Sequence, residues 1–291
     1  MLKFTKADDR KKAAKDKVTM VIFGPAGAGK TTQARTLDPK KTLFIDFEAG
    51  TLALGKDWGK DNIFDVRGVA GTVGCHPWEL ARAAALYIGG PDPSDATGSY
   101  SKAMYDQVCT MFGDPKELDQ YDTVFVDSIT VAARECFKWS QTQPDAFSER
   151  NGKPDMRGAY GLLGREMMRW ITHLQHCSKS IIMVGILDRQ EDELKRVVWE
   201  PQIDGSKTGR ELPGVFDEVL TLSSSLKAED GSLYRAFVCR EQNPYGFPAK
   251  DRSGCLDLIE EPNLAKVLAK IRAGKRVDSL VTTIPTTKTA E

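Results

Sequence analysis

Long apolar runs are missing from these 291 residues, and no stretch approaches the length of a membrane span. No secretory leader pattern precedes the first apolar segment, so the reading expects a protein of the cytoplasm with no membrane partner. Net charge is missing too: 41 basic residues face 41 acidic ones. That excludes a global electrostatic attraction to nucleic acid, and any such surface must be local. Histidine is scarce, at three residues, and the six cysteines are scattered with no C-x-x-C pair. A zinc module or disulfide framework is therefore not expected; reduced thiols fit better. His173 and His176 would share a helix face, but no third ligand lies near them in sequence.

What is present begins at Val18. Val18 to Phe23 is an apolar, β-branched run that reads as a buried parallel strand. Gly24, Pro25, Ala26, Gly27, Ala28, Gly29, Lys30 and Thr31 then spell G-x-x-x-x-G-K-T, followed by Thr32. This is the complete Walker A pattern. Its glycines let backbone N–H groups close on a polyphosphate. Lys30 reaches the terminal phosphates as a point charge, and the Thr31 hydroxyl can hold Mg²⁺. A helix expected from about Lys30 would aim its N-terminal dipole at the same anion. ATP and Mg²⁺ are the implied ligands.

A second strand, Thr42 to Phe47, ends in Glu48. A carboxylate there, on a strand expected beside the first, lies where α/β sheets place ligands. Glu48 is a candidate catalytic base, with a surface loop acid as the alternative. Ile63 to Val66 reads as a short strand, and Gly68 to Gly74 as a glycine-rich turn. Helices are expected over Trp78 to Ile88 and Tyr100 to Phe112, with a loop from Gly89 to Gly98 between them. Thr123 to Asp127 is apolar and ends in an acid, the Walker B form, in which Asp127 supports Mg²⁺.

Beyond a helix over Ile129 to Trp139, the segment Gln141 to Ala159 is polar and loop-like. Loops this long are usually functional or disordered. Arg150, Lys153 and Arg157, with Phe147, suit a nucleic-acid backbone and a base face; a solvated loop is the alternative. Gly161 to Cys177 reads as an amphipathic helix and Ser180 to Ile186 as a buried strand. Asp188 and Gln190, just past that strand, could sense a terminal phosphate or be plain loop residues. Trp199 to Gly214 reads as irregular; Phe216 to Leu222 and Leu233 to Arg240 read as closing strands, with a final helix over Leu264 to Ile271. The expected organisation is an arm over 1–17, one α/β domain over 18–272 with an insertion near 89–115, and a disordered tail over 273–291. The sheet is expected to be mainly parallel and twisted, flanked by helices, with antiparallel strands toward the C-terminus.

The order Gly24 to Thr32, Phe44 to Glu48, Val124 to Ser128, long loop, amphipathic helix and Ile181 to Ile186 resembles the RecA-like ATPase core. Gly209 to Gly214, Phe216 to Val219 and Pro248 to Gly254 are similar to a group of phage-encoded RecA-like nucleotide-binding proteins, some of them recombinases or single-strand-annealing helpers. The resemblance implies that Glu48 activates water, Asp127 supports Mg²⁺, and 141–159 and 187–214 are two DNA-binding loops. It implies ATP hydrolysis coupled to single-stranded DNA in recombination or replication, by a homo-oligomeric ring or filament. In such assemblies a neighbour supplies a cation, for which Lys207 and Arg210 are the candidates here. The family's glutamine directly after its fourth core strand has no counterpart in position, since Leu187, Asp188 and Arg189 intervene before Gln190. A nucleic-acid motor, a nucleotide-dependent assembly switch and a small-molecule kinase are the competing classes.

Overall fold

The computed structural model describes residues 17–277, except 60, 149, 151, 192, 194 and 196 and the side chains of 206 and 207. The expected arm, up to residue 16, and the tail from 278 lie outside the described residues.

Strand β1 is Thr19–Gly24, all six residues buried, as a strand covered on both faces must be. A 3₁₀ turn over Thr31–Thr36 leads to β2, Thr42–Asp46. Then come β3 (Ile63–Asp65), α1 (Val66–Val73), α2 (Pro77–Gly89), α3 (Lys102–Phe112), β4 (Thr123–Asp127) and α4 (Ile129–Ser140). The chain continues through α5 (Met156–His176), β5 (Ser180–Glu191), β6 (Val197–Pro201), α6 (Ser206–Val215), β7 (Glu218–Lys227) and β8 (Leu233–Val238). It closes with β9 (Lys250–Asp251), β10 (Ile259–Glu260) and α7 (Leu264–Ala273). The sheet order is β10-β8-β7-β1-β5-β4-β2-β3. From β7 to β3 every pairing is parallel; β8, β9 and β10 add antiparallel strands on the C-terminal side. This is the α/β fold expected from the strand pattern.

Period-2 alternation splits the core into two layers. Val21 and Phe23 face a layer with Val124, Val126, Met183, Trp78 and Trp170. Met20 and Ile22 face the other, with Phe44, Phe125, Leu220 and Leu268. Trp78 and Trp170 lie with ring centroids 5.6 Å apart, and Trp170 Nε1 donates to the Ala81 carbonyl at 3.1 Å. Truncating such a tryptophan costs about 3–5 kcal/mol. Among the described residues no helix is long and apolar enough to cross a membrane.

Four expectations need correction. Gly68 to Gly74 is not a turn: Val66–Val73 is helical, N-capped by Asp65, whose side chain accepts from Gly68 N, and closed by Gly74 in the left-handed region. Burying Val66 and Ala70 offsets the roughly 1 kcal/mol that each interior glycine costs. The helix expected after Lys30 is only the six-residue 3₁₀ turn, ending at Leu37 ahead of Asp38 and Pro39. Two β-branched threonines at its start and a proline just beyond its end oppose a longer α-helix.

Trp199 to Gly214 is not irregular throughout: it takes in the end of β6 and nearly all of α6. β5 runs on to Glu191 and pairs antiparallel with β6, and α6 follows with Pro213 inside its last turn. Past Leu187 the β5 half of this ribbon is polar, and the β6 half has Val197, Val198 and Trp199 in a row, so neither carries an apolar alternation. Finally, β2 is not beside β1: β5 and β4 stand between them.

Candidate functional site

Strand β1 ends at Gly24, where a Cβ would sit 2.4 Å from the Leu222 carbonyl oxygen on β7, so only glycine fits. Gly27 and Gly29 have φ of +77° and +95°, conformations a side chain would strain. Between them these glycines turn the loop back over the carboxyl end of the sheet. Lys30 Nζ lies inside the turn and donates to the carbonyls of Gly24 at 2.8 Å and Pro25 at 2.9 Å. Burial lowers its pKa, against the pull of the Asp127 and Glu48 carboxylates.

Register delivers the acids to the same edge. Asp46 and Asp127 are direct partners on β2 and β4; Asp127 pairs with Val184 on β5, and Ile186, two residues on, pairs with Gly24. Asp127 is buried, and its Oδ2 has no hydrogen-bond partner among the described residues. Burial pushes its pKa up to about 6, opposed by a hydrogen bond with the Thr31 side chain and reinforced by the Glu48 and Asp46 carboxylates. A Cβ on Gly50 would lie 3.4 Å from that orphan oxygen and 3.8 Å from the Thr31 methyl, which shows how closely the three groups meet.

Glu48 is held by two devices. Asp46 Oδ1 accepts from the backbone N–H groups of Glu48 (2.9 Å) and Ala49 (2.8 Å), and Ala49 takes a φ of +59° to make this possible. The Ser128 hydroxyl donates to Glu48 Oε1 and also accepts from Val131 N, capping α4. Glu48, Lys30, Thr31 and Asp127 therefore form one cluster.

A magnesium ion fits this donor set. It takes few protein ligands and keeps the rest of its octahedron for water and substrate phosphate. The Thr31 hydroxyl and the Asp127 carboxylate, whose Oδ2 has no partner among the described residues, supply such a pair. The N–H groups of Ala26 to Thr32, with Lys30, suit a phosphate cradle. Among the described residues no three His, Cys, Asp or Glu side chains converge on a metal site of another kind. His76 caps α2 by accepting from Trp78 N, and the His173 ring lies tilted by 38° against Tyr100, with centroids 4.3 Å apart.

The remaining candidates stand elsewhere. Arg210, exposed on α6, lines a cavity of about 640 Å³ together with Asp188, Gln190, Arg134 and Trp199; the Walker A residues do not line it. The Lys207 side chain lies outside the described residues. Arg150, Lys153 and Arg157 are exposed in or beside the segment joining α4 to α5. That segment is a small hairpin: Phe147 bridges Pro154, and Ser148 N donates to the Lys153 carbonyl at 2.8 Å. Phe147 in this segment is 41% exposed, and Tyr160, one turn along α5 from Arg157, is 44% exposed with one face stacked on Phe137 at 4.5 Å.

Sequence reasoning missed three groups. Asp46 and Ser128 flank the predicted acids by one or two positions and were legible as neighbours, though not as supports. Arg235, on β8, brings its guanidinium carbon within 3.5 Å of the Cβ position of Gly29, and nothing local marks it.

No curated protein matches the chain. A family model described as an AAA domain matches residues 16–253, from just before β1 to just past β9, and so takes in the loop, both acids and the whole parallel sheet. With the Walker A loop over its two carboxylates, and with that match over most of its length, the chain belongs to the AAA domain family of P-loop ATPases.

Proposed function

We propose that this protein hydrolyses ATP with Mg²⁺ and couples the turnover to single-stranded DNA, as a RecA-like protein of phage recombination or replication. The observation that carries the ATPase half is the convergence of Lys30, Thr31, Asp127 and Glu48, with one buried carboxylate oxygen left without a partner among the described residues. Bound Mg²⁺ would neutralise charge developing on the phosphates. The chain's own groups do the rest. The loop amides and Lys30 bind and orient the polyphosphate; Thr31 and Asp127 hold the ion. Glu48, fixed by Ser128 and the Asp46 turn, accepts a proton from the attacking water.

Support for the DNA half is the hairpin between α4 and α5. Exposed Phe147 and Tyr160 among Arg150, Lys153 and Arg157 combine stacking faces with phosphate-binding cations. α5 is 21 residues, about 31 Å, and its C-terminus feeds the start of β5, so its other end reaches toward the carboxyl edge that holds the P-loop.

The test is the ATPase rate with Mg²⁺ or with chelator, in the presence of single-stranded DNA, duplex DNA or nucleosides. Mg²⁺-dependent turnover that single-stranded DNA accelerates is the expected result. Turnover accelerated by a nucleoside and indifferent to DNA would replace this reading with a kinase.

In the same reading Lys207 and Arg210 serve a neighbouring subunit's site, since Arg210 lies in a cavity separate from its own P-loop. Mixing Lys30→Ala subunits with Lys207→Ala/Arg210→Ala subunits should restore turnover that neither shows alone. Co-assembly without recovery removes these two residues from that role.

A further inference from the structure

We propose that Arg235 is a second cation for the nucleotide polyphosphate, acting in the same chain as the P-loop it serves. The inference rests on the reading that this loop holds a nucleoside phosphate.

The position of Arg235 is built by the antiparallel side of the sheet. β1 pairs with β7 and β7 with β8, so β8 is two strands from the P-loop strand. Ser223 pairs with Ala236, and the register then shifts between Ser223 and Leu226, so the strand opposite Arg235 is irregular. Ala236 and Phe237 are buried, whereas Arg235 is exposed and emerges toward the loop. Its guanidinium carbon and one terminal nitrogen lie 3.5 Å, and its Nε 3.7 Å, from the Cβ position of Gly29. A Cβ at residue 29 would meet that guanidinium at ordinary van der Waals distance, so it is the φ of +95° that calls for glycine, and the short distance shows how closely Arg235 lies against the loop.

The surroundings of Arg235 say what it lacks. Arg67, Arg82, Arg165, Arg169 and Arg252 each hold a carboxylate. Arg235 has no hydrogen bond or ion pair among the described residues, and it rests against a loop whose own function is to present N–H donors. A guanidinium beside donors gains only when an anion enters between them. Lys30 meanwhile is engaged with the Gly24 and Pro25 carbonyls inside the turn. The two cations thus flank the loop, one inside and one outside. A guanidinium fork suits phosphate oxygens better than it suits a base or a ribose hydroxyl. The competing description is an arginine that simply lies in solvent against the loop.

Equilibrium binding separates the two. A fluorescent ADP analogue is titrated with Mg²⁺ into wild type, Arg235→Gln and Arg235→Lys, then competed with ATP and with inorganic tripolyphosphate. Thermal melts verify that the variants fold. Arg235→Gln should weaken all three ligands by roughly tenfold, the scale of one charge-assisted hydrogen bond. Arg235→Lys should recover part of that loss, because it keeps the charge and loses the fork. Unchanged affinity in a folded Arg235→Gln protein overturns the proposal. So does a loss for the ADP analogue and ATP with none for tripolyphosphate, which would put the cation on the base or sugar. Recovery of turnover on mixing Arg235→Gln with Lys30→Ala subunits would place the arginine in a neighbour's site and overturn the same-chain assignment. A wild type that binds none of these ligands sinks the nucleotide reading itself, an outcome distinct from the others.

Discussion

Two buried carboxyls stand at opposite ends of the same sheet. Asp127 closes β4 at the carboxyl edge, and Glu218 opens β7 at the amino edge. Burial is the first cause of a raised pKa in both, to about 6 for Asp127 and about 8 for Glu218. Each has one oxygen without a partner among the described residues. Their neighbours differ. Asp127 faces Lys30, Thr31 and a loop of N–H donors. Glu218 faces Asp251 and Asp217, and Ser253 N donates to its other oxygen at 3.1 Å. Asp251 in turn is occupied by Gly254 N and Leu256 N, both at 2.8 Å. The larger shift therefore belongs to the carboxyl with no ligand cradle. A perturbed pKa marks a functional site only where a cation or substrate can reach the group.

The largest expected effect breaks the cradle. Lys30→Ala should abolish ATP turnover in a folded protein, and Asp127→Asn should lower it roughly a thousandfold, the scale of a lost metal support. Without nucleotide, however, Asp127→Asn removes a buried carboxylate beside two others and should raise the melting temperature by about 2 °C or more. Loss of activity together with loss of apo stability would mean that Asp127 supports the fold and not an ion.

Glu48→Gln comes next. The amide keeps the Ser128 contact but cannot take a proton, so turnover should fall about a hundredfold while the fluorescent ADP analogue still binds. Normal turnover would move the base to Asp46 or Asp188.

Glu218→Gln tests the other end of the sheet. The folded pKa lies above the unfolded value, so the protonated carboxyl's contribution is fully present below about pH 4.5. It is lost as pH rises through about 8. The variant, neutral throughout, should gain roughly 1–3 kcal/mol over wild type in urea melts at pH 9 and nothing at pH 4, with ATPase unchanged. A variant that loses turnover would join the two ends functionally and undo the contrast.

The smallest effect concerns the hairpin near the carboxyl edge. Neutralising Arg150, Lys153 and Arg157 together should weaken single-stranded DNA binding about tenfold and flatten its salt slope by roughly 2, from three phosphate contacts. Equal affinity and equal slope would leave the nucleotide cradle as the only ligand site at that edge.

Much of the fold was legible where the signal is local. Thr123 to Asp127 is the strand the apolar run announced, and the helices read over 129–139 and 161–177 stand at 129–140 and 156–176, the second beginning inside the stretch read as loop, where Asp155 caps it by accepting from Arg157 N. Reading failed where burial of a few side chains outweighed local preference, as in α1 with its two interior glycines. It failed also where a strand runs on past the sheet into a polar antiparallel ribbon, as in β5–β6.

The candidate site divides in the same way. Lys30, Thr31, Glu48 and Asp127 were legible because a phosphate loop and strand-terminal acids are short, contiguous patterns. The roles of Asp46 and Ser128 needed hydrogen-bond partners that residue types alone do not specify. The sequence by itself determined the chemistry available: a Walker A loop, a hydroxyl and acids of the kind that can hold magnesium, and strands long enough to bury both faces. Only the tertiary structure decided the neighbours. It put β5 and β4 between β1 and β2, sent Arg210 to a separate cavity, and brought Arg235 on β8 to within 3.5 Å of the Gly29 Cβ position. The reason is that strand order and register are set by packing between segments 50 to 200 residues apart, and no short window of sequence carries that information.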